Sequence, residues 1–311
     1  MAADAITGSL LPERVLPVNE RAASRPAMAS IAMLTPDPAD EGFQTRWRDL
    51  LAELAAPLRA RGHQVSGPSW TAPDSERYDL VMPILAWGYH RAGADWLGAT
   101  RQWEEAGLRV LNPPSVMRWN ADKIYLDRLG ERGVPVTPTL FIERLTLDRL
   151  AEAAERFGTE RLIAKPQVSA LAWQTIRWSP GDPIENGPTG PAMIQPYLPA
   201  IEQSGEVSLI YLAGTFSHAI RKRPQPGDFR VQPEYQATIA PHDTAPDELA
   251  GAEAALAAVE EPLLYARVDL VRDLQDRPVL MELELVEPDL YLRFDPAAPA
   301  RFADAVEAAL T

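Results

Sequence analysis

Cysteine is absent from all 311 residues. That excludes thiol catalysis, cysteine-ligated zinc and disulfide stapling, and it fits a reducing compartment, so a cytoplasmic location is expected. No apolar run approaches the 18 residues of a membrane helix, and the N-terminus lacks the compact apolar core of a signal peptide, so no membrane partner is expected. Basic clusters are equally scarce. Arg221, Lys222 and Arg223 form the only three-residue basic run, against 44 acidic and 30 basic residues and a formal charge of −14. A chain so acidic repels nucleic acid. Ser-His-Asp order, HExxH and a Walker lysine loop are missing too, which leaves hydrolase, zinc-protease and P-loop readings without support.

What is present is a chain long enough for two or three lobes. Residues 1–27 carry no sustained periodicity and read as an N-terminal extension. Over residues 28–112 strand and helix signals alternate: a strand-like run at 30–34, helical spacing through Phe43, Trp47, Leu50, Leu51, Leu54 and Leu58, an apolar strand at 79–85, and an amphipathic stretch at 96–106. Such βαβ patterning predicts a mainly parallel sheet. Asn112, Pro113 and Pro114 then mark a boundary, with Ser115 as the N-cap of the helical region that follows. Residues 113–190 read as a central lobe, with helices at 120–132 and 146–157, extended chain at 134–142, and strands at 161–166 and 174–178. A loop at 179–191 dense in glycine and proline separates it from residues 191–311. There, strand-like runs at 192–197, 206–213, 216–223, 229–240, 263–271 and 279–286 predict an antiparallel sheet, with helices near 246–259 and 298–310.

The final pair of strands carries the strongest chemical signal. Strand alternation puts Tyr265, Arg267 and Asp269 on one face, and Glu282 and Glu284 on one face of the returning strand. A turn near residues 274–277 brings Asp269 opposite Glu282. Three carboxylates then share one space, and their repulsion calls for a cation. Hard oxygen ligands of this kind suit magnesium. The alternative is an ordinary solvated face.

Arg267-Val268-Asp269, followed thirteen residues after the aspartate by Glu282 and Glu284, resembles the R-V-D and E-x-N pair of ATP-grasp ligases, the group of D-alanine–D-alanine ligase and glutathione synthetase. The resemblance implies an ATP-grasp α/β fold, with a parallel-sheet domain preceding two α+β lobes. It implies ATP and magnesium as cofactors, manganese serving in place of magnesium, with Asp269, Glu282 and Glu284 as metal ligands and Arg267 at the transferring phosphoryl group. Glu284 departs from the pattern, standing where the family has asparagine. Upstream, Asn120-Ala121-Asp122-Lys123 and Ala164-Lys165-Pro166 resemble the segments that carry the family's two ATP lysines. Gln195-Pro196-Tyr197-Leu198 is similar to the hinge strand, where the backbone around Tyr197 and Leu198 would read adenine. Glu202 or Glu206 would hold the ribose. Residues 205–208, 217–222 and 229–232 resemble the branch that includes the D-cycloserine-forming cyclo-ligase. In that branch Lys222 would stabilise phosphate, and Arg230 the phosphate or the bound carboxylate.

The segment after Pro166, Gln167 to Gln174, keeps Ser169 but has no glycine, whereas the family closes a glycine- and serine-rich loop over the phosphates; Leu171 and Trp173 make this lid bulky. The expected activity is ADP-forming ligation of a small amino-acid-like carboxylate to an amine through an acyl phosphate. A nucleotide- or ligand-binding protein without turnover is the alternative, and a homodimer is expected by family analogy. Trp87, Tyr89, His90 and His218 weigh less, since aromatic neighbours usually signal packing.

Overall fold

The computed structural model describes residues 28–40, 42, 46–71 and 78–311. The expected extension at 1–27 and Phe43 lie outside them. Strands β1 (Ser30–Met33), β2 (Gln64–Ser66) and β3 (Leu80–Met82) form a parallel sheet of order β2-β1-β3. Helices α1 (Arg46–Arg59) and α2 (Gly93–Glu105) connect and flank it. Leu50, Leu54 and Leu58 bury one stripe of α1 against Ile31, Met33 and Phe302, so this first domain shares its core with the C-terminal helix α8 (Ala298–Leu310).

The Asn112–Pro114 boundary opens α3 (Pro114–Asn120), then α4 (Tyr125–Glu131). Two expectations change here. Pro113 occupies the N-cap and Pro114 the first turn, as befits a residue with no N–H to leave unbonded; the Ser115 hydroxyl instead donates to Glu261 at 2.6 Å. The single helix expected at 120–132 is two, broken at residues 121–124.

A four-stranded antiparallel sheet of order β4-β7-β5-β6 follows, from β4 (Leu140–Ile142), β5 (Leu162–Pro166), β6 (Ile176–Trp178) and β7 (Ala192–Pro196). Helix α5 (Leu147–Phe157) covers it, capped by the Thr146 side chain accepting from Arg149 N and ended by Gly158 at φ 65°. The expected hinge strand β7 therefore hydrogen-bonds between β4 and β5, and the passage to the next sheet falls after Pro196.

That next sheet is antiparallel, of order β10-β9-β8-β11-β12: β8 (Glu206–Leu212), β9 (Thr215–Arg223), β10 (Thr238–Pro241), β11 (Tyr265–Arg272) and β12 (Pro278–Glu284). The strand expected over 229–240 shortens to β10, because 229–237 runs as loop with a 3-10 turn at Pro233–Tyr235. The short helix α6 (Ala200–Gln203) precedes β8, and helix α7 (Pro246–Ala257) packs Ala252 and Ala255 against this sheet.

Strand β12 is an edge, and exposed strand edges invite misplaced pairing. Backbone closes it at Leu280, whose N–H donates to Pro135 O at 2.8 Å and whose carbonyl accepts from Thr137 N at 3.0 Å, and side chains close it beyond. Asn120 donates to Leu283 O at 2.7 Å and accepts from Leu285 N at 2.9 Å, and the Tyr125 hydroxyl bridges Leu283 O and N. Both helices after the boundary are thus pinned to the hairpin.

Candidate active site

Register settles the face of the hairpin: Arg267 pairs with Glu284 and Asp269 with Glu282, as alternation predicted. Asp269, Glu282 and Glu284 each place a carboxylate oxygen within 4.8 Å of the others. The cation that their repulsion demanded is already partly supplied by side chains. Asp269, buried, accepts from Ser208 at 2.5 Å, Arg267 at 2.9 Å and Lys222 at 3.2 Å. Arg267 also pairs with Glu284, and Lys123 with Glu282 at 3.1 Å.

Electrostatics follow from these pairs. Burial opposes charge on Asp269, but Arg267 and Lys222 outweigh it and hold the carboxyl below its usual range. Burial likewise opposes charge on Glu282, and Lys123 with Lys165 reverses the effect. Glu284 fares differently: burial pushes it up to about 8, Glu282 adding to what Arg267 cannot cancel. Lys222 is raised, since Asp269 and Glu206 overcome burial and the nearby Arg267. Burial lowers Lys165.

One cleft of about 1660 Å³, counting its open mouth, collects these groups between the two antiparallel sheets. Lys123, Lys165, Lys222, Arg230 and Arg267 line it, as do Ser169, Gln195, Tyr197, Leu198 and Glu206. Glu202 is absent from that lining. It sits on the short helix Ala200–Gln203, takes the Tyr197 hydroxyl and pairs with Arg177 at 3.4 Å. Of the two ribose candidates only Glu206 faces the cleft, and its carboxylate is 2.8 Å from Lys222.

Alternation along β9 separates the basic run: Lys222 is buried at 3% exposure, while Arg223 is exposed. Arg230 lies at the rim, bidentate to Asp228 and stacked 3.7 Å over Tyr235. In the hinge, Tyr197 N donates to Arg161 O at 2.8 Å, so that amide is committed to the sheet. Gln195 is buried, donates to Thr139 Oγ1 at 2.9 Å, and keeps its second amide atom without a partner among the described residues.

Along the cleft, the segment after Pro166, expected to form a lid, turns through left-handed backbone at Leu171 (φ 53°), Ala172 (φ 55°) and Gln174 (φ 52°). Its base is fixed by Lys123 Nζ donating to Ser169 O at 2.6 Å, its tip by Trp173 stacking toward His90, centroids 6.2 Å apart. The Ser169 hydroxyl donates to Pro166 O at 3.2 Å. His218, buried, lies 3.0 Å from Leu290 O and serves the turn there.

Several cleft residues escaped the sequence reading: Arg46, Glu287, Asp289 and Tyr291. Glu287 and Asp289 follow the E-x-E pair within five residues, a continuation of acidic residues that offered a signal. Arg46 opens α1 and carried none.

Comparisons with known proteins bear on the family and the fold. The family described as D-cycloserine synthetase DcsG, N-terminal domain, matches residues 31–112. The cycloserine biosynthesis protein DcsG of Streptomyces lavendulae is 31% identical over 255 residues, 75% of this chain and 84% of that protein. A crystal structure of D-cycloserine synthetase DcsG superposes with a TM-score of 0.77 at 27% identity, covering 91% of this chain and 100% of that one. D-alanine–D-alanine ligase from Bacillus anthracis, solved with ATP, shares the fold at a TM-score of 0.65 and 14% identity, over 90% of this chain and 95% of that one.

Proposed function

The chain belongs to the ATP-grasp ligases, enzymes that form C–N bonds, and from that premise we propose that it activates a small amino-acid-like carboxylate as an acyl phosphate, releasing ADP, and passes the acyl group to an amine. The observation that carries this reading is the gathering of Lys123, Lys165, Lys222 and Arg267 with three mutually close carboxylates in one cleft.

Joining a carboxylate to a γ-phosphate means bringing two anions together, and repulsion is the main obstacle. Lys165, lacking a protein partner among the described residues, is poised for phosphate oxygens. Arg267 and Lys222, fixed by Asp269, offset charge on the transferring group without reorganising. The hard oxygen set of Asp269, Glu282 and Glu284 fits magnesium or manganese, and when bound such an ion supplies a Lewis-acid charge for phosphate oxygens. The amide of Leu198 and the buried Gln195 side chain read the base, and Glu206 lies toward the ribose. Closure of the lid keeps water from the acyl phosphate.

Lys165→Ala is expected to weaken ATP binding roughly tenfold or more, the worth of a charge-assisted bond. ADP formation is expected only when a carboxylate substrate accompanies magnesium-ATP. A full screen of amino and hydroxy acids that never changes ADP release, with ATP still bound, would instead favour a nucleotide-binding protein without turnover. The glycine-free lid and Glu284 in the place of asparagine are what support that second reading.

A further inference from the structure

Alternation along β12 would turn Met281 away from its neighbour Glu282. The pairing with β11 slips at that point: Asp269 faces Glu282, Leu270 faces Leu280, and Met281 is left between them without an opposite residue. An extra residue of this kind bends its strand and re-aims the side chain. Met281 accordingly lines the same cleft as Glu282, and it packs against Tyr197, Leu198, Val231 and Val271, which line that cleft too.

Exposure of sulfur is uneven along the chain. Of seven methionines, Met33, Met82, Met117 and Met193 are fully buried, and Met1 lies outside the described residues. Met28 is 56% exposed but does not line the cleft. Met281 is half-buried, and its sulfur lies 3.0 Å from the Thr137 hydroxyl. It is the one sulfur among the residues lining the cleft, and the sequence holds no cysteine to compete with it.

A thioether is a soft nucleophile toward a two-electron oxidant such as hydrogen peroxide. A sulfur lone pair takes the near oxygen, the O–O bond breaks, and the far oxygen leaves as water after receiving the near oxygen's proton. Sulfur loses two electrons and peroxide gains them. The product is a polar, chiral sulfoxide in a wall that is otherwise apolar. Polar oxygen set among Leu198, Val231 and Val271 disfavours an apolar ring face against the same wall. Resting on the reading above, which puts the base beside Leu198, we propose that Met281 is an oxidation site at the base end of the cleft: peroxide converts it to the sulfoxide, this weakens nucleotide binding, and bound nucleotide blocks the conversion.

Graded hydrogen peroxide on the full chain, followed by peptide mass mapping, tests this. Met28 is expected to oxidise first among the described methionines, Met281 second, and the fully buried ones last. A non-hydrolysable ATP analogue with magnesium, at about ten times its Kd, should slow Met281 roughly tenfold by mass action and leave Met28 unchanged. Calorimetry on the oxidised chain should find the analogue bound roughly fivefold or more weaker. Peroxide should leave the affinity of Met281→Leu where it started, whatever that starting value is, while Met28→Leu keeps the wild-type sensitivity. Met281 oxidising no faster than the buried methionines overturns the site, as does full oxidation with unchanged affinity, or an unchanged rate under bound analogue. The mass map is read on the wild type, so it decides the matter even where Met281→Leu folds poorly. Nucleotide binding by the untreated chain keeps the two ideas apart: its failure counts against the ligase reading, and Met281 is then judged on the order of oxidation alone.

Discussion

The β11–β12 hairpin and the lid at residues 167–174 face the same cleft, and they are built on opposite principles. In the hairpin, charged groups are locked in ion pairs, and Asp269 alone accepts from a hydroxyl, an ammonium and a guanidinium. In the lid, bulky side chains stand in solvent, Leu171 at 38% and Trp173 at 45% exposure, on a backbone that turns left-handed without glycine. Chemistry that depends on fixed charge belongs on the over-determined element. Access and closure belong on the one held by few contacts. The contrast can be attacked from either side.

The largest effect is expected at Asp269. Asp269→Asn removes the shared anion of Lys222 and Arg267, both under 10% exposed. Leaving two buried cations short of charge should cost about 3–5 kcal/mol of stability, and turnover should vanish with it. Urea unfolding of the variant measures the first and ADP release the second. A variant nearly as stable as the wild type would show that the hairpin network is loosely held, and the contrast with the lid would collapse. The pairing of Glu282 with Lys123 also revises what repulsion alone implies, namely that removing Glu282 relaxes the hairpin. Glu282→Gln instead strands a buried lysine, so stability should fall.

A smaller effect is expected where the lid tip meets the first domain. Burial, with Arg91 and Lys123 adding to it, lowers His90 from 6.5 to about 4. The folded state thus keeps His90 neutral while the unfolded chain takes up a proton below about pH 6.5. Between those values the unfolded state binds more protons, so this contribution is constant above about 6.5 and declines as pH falls toward 4. By pH 4.5 the loss amounts to about 2.5 kcal/mol. His90→Phe should not show it: the stability difference between wild type and variant should shift by that amount between pH 7 and pH 4.5. An unchanged difference would place His90 in solvent and detach the lid tip from the first domain.

How far each region was legible follows from the same contrast. Strand alternation has period two, so Arg267, Asp269, Glu282 and Glu284 could be assigned to one face before any coordinates, and the observed register agrees. Lys165 stood out because it interrupts an apolar strand. Interactions between distant segments were not legible. Nothing local shows that Lys123 meets Glu282, or that Arg46 reaches Asp289 across 243 residues. The choice between Glu202 and Glu206 likewise depended on which way the Ala200–Gln203 turn points. Loops have no period at all, so the missing glycines of the lid were visible while the left-handed backbone they would have eased was not.

That backbone supports the last and smallest prediction. An L-residue in left-handed conformation costs about 1 kcal/mol, because its Cβ crowds the following carbonyl; glycine has no Cβ to crowd. Ala172 adopts φ 55° in a half-buried turn and presents only a methyl group. In an ordinary loop Ala→Gly destabilises by about 0.4–1 kcal/mol through the greater freedom of the unfolded chain. Here relief of the turn should offset that loss, so Ala172→Gly is expected to be neutral or stabilising by up to about 0.5 kcal/mol, within reach of careful urea titration. Val168→Gly, in the same lid with no positive φ, supplies the comparison and should show the ordinary loss or more. Equal destabilisation by both would mean that the left-handed turn is not what the folded lid adopts, and that its freedom comes from mobility instead of from a strained but defined shape.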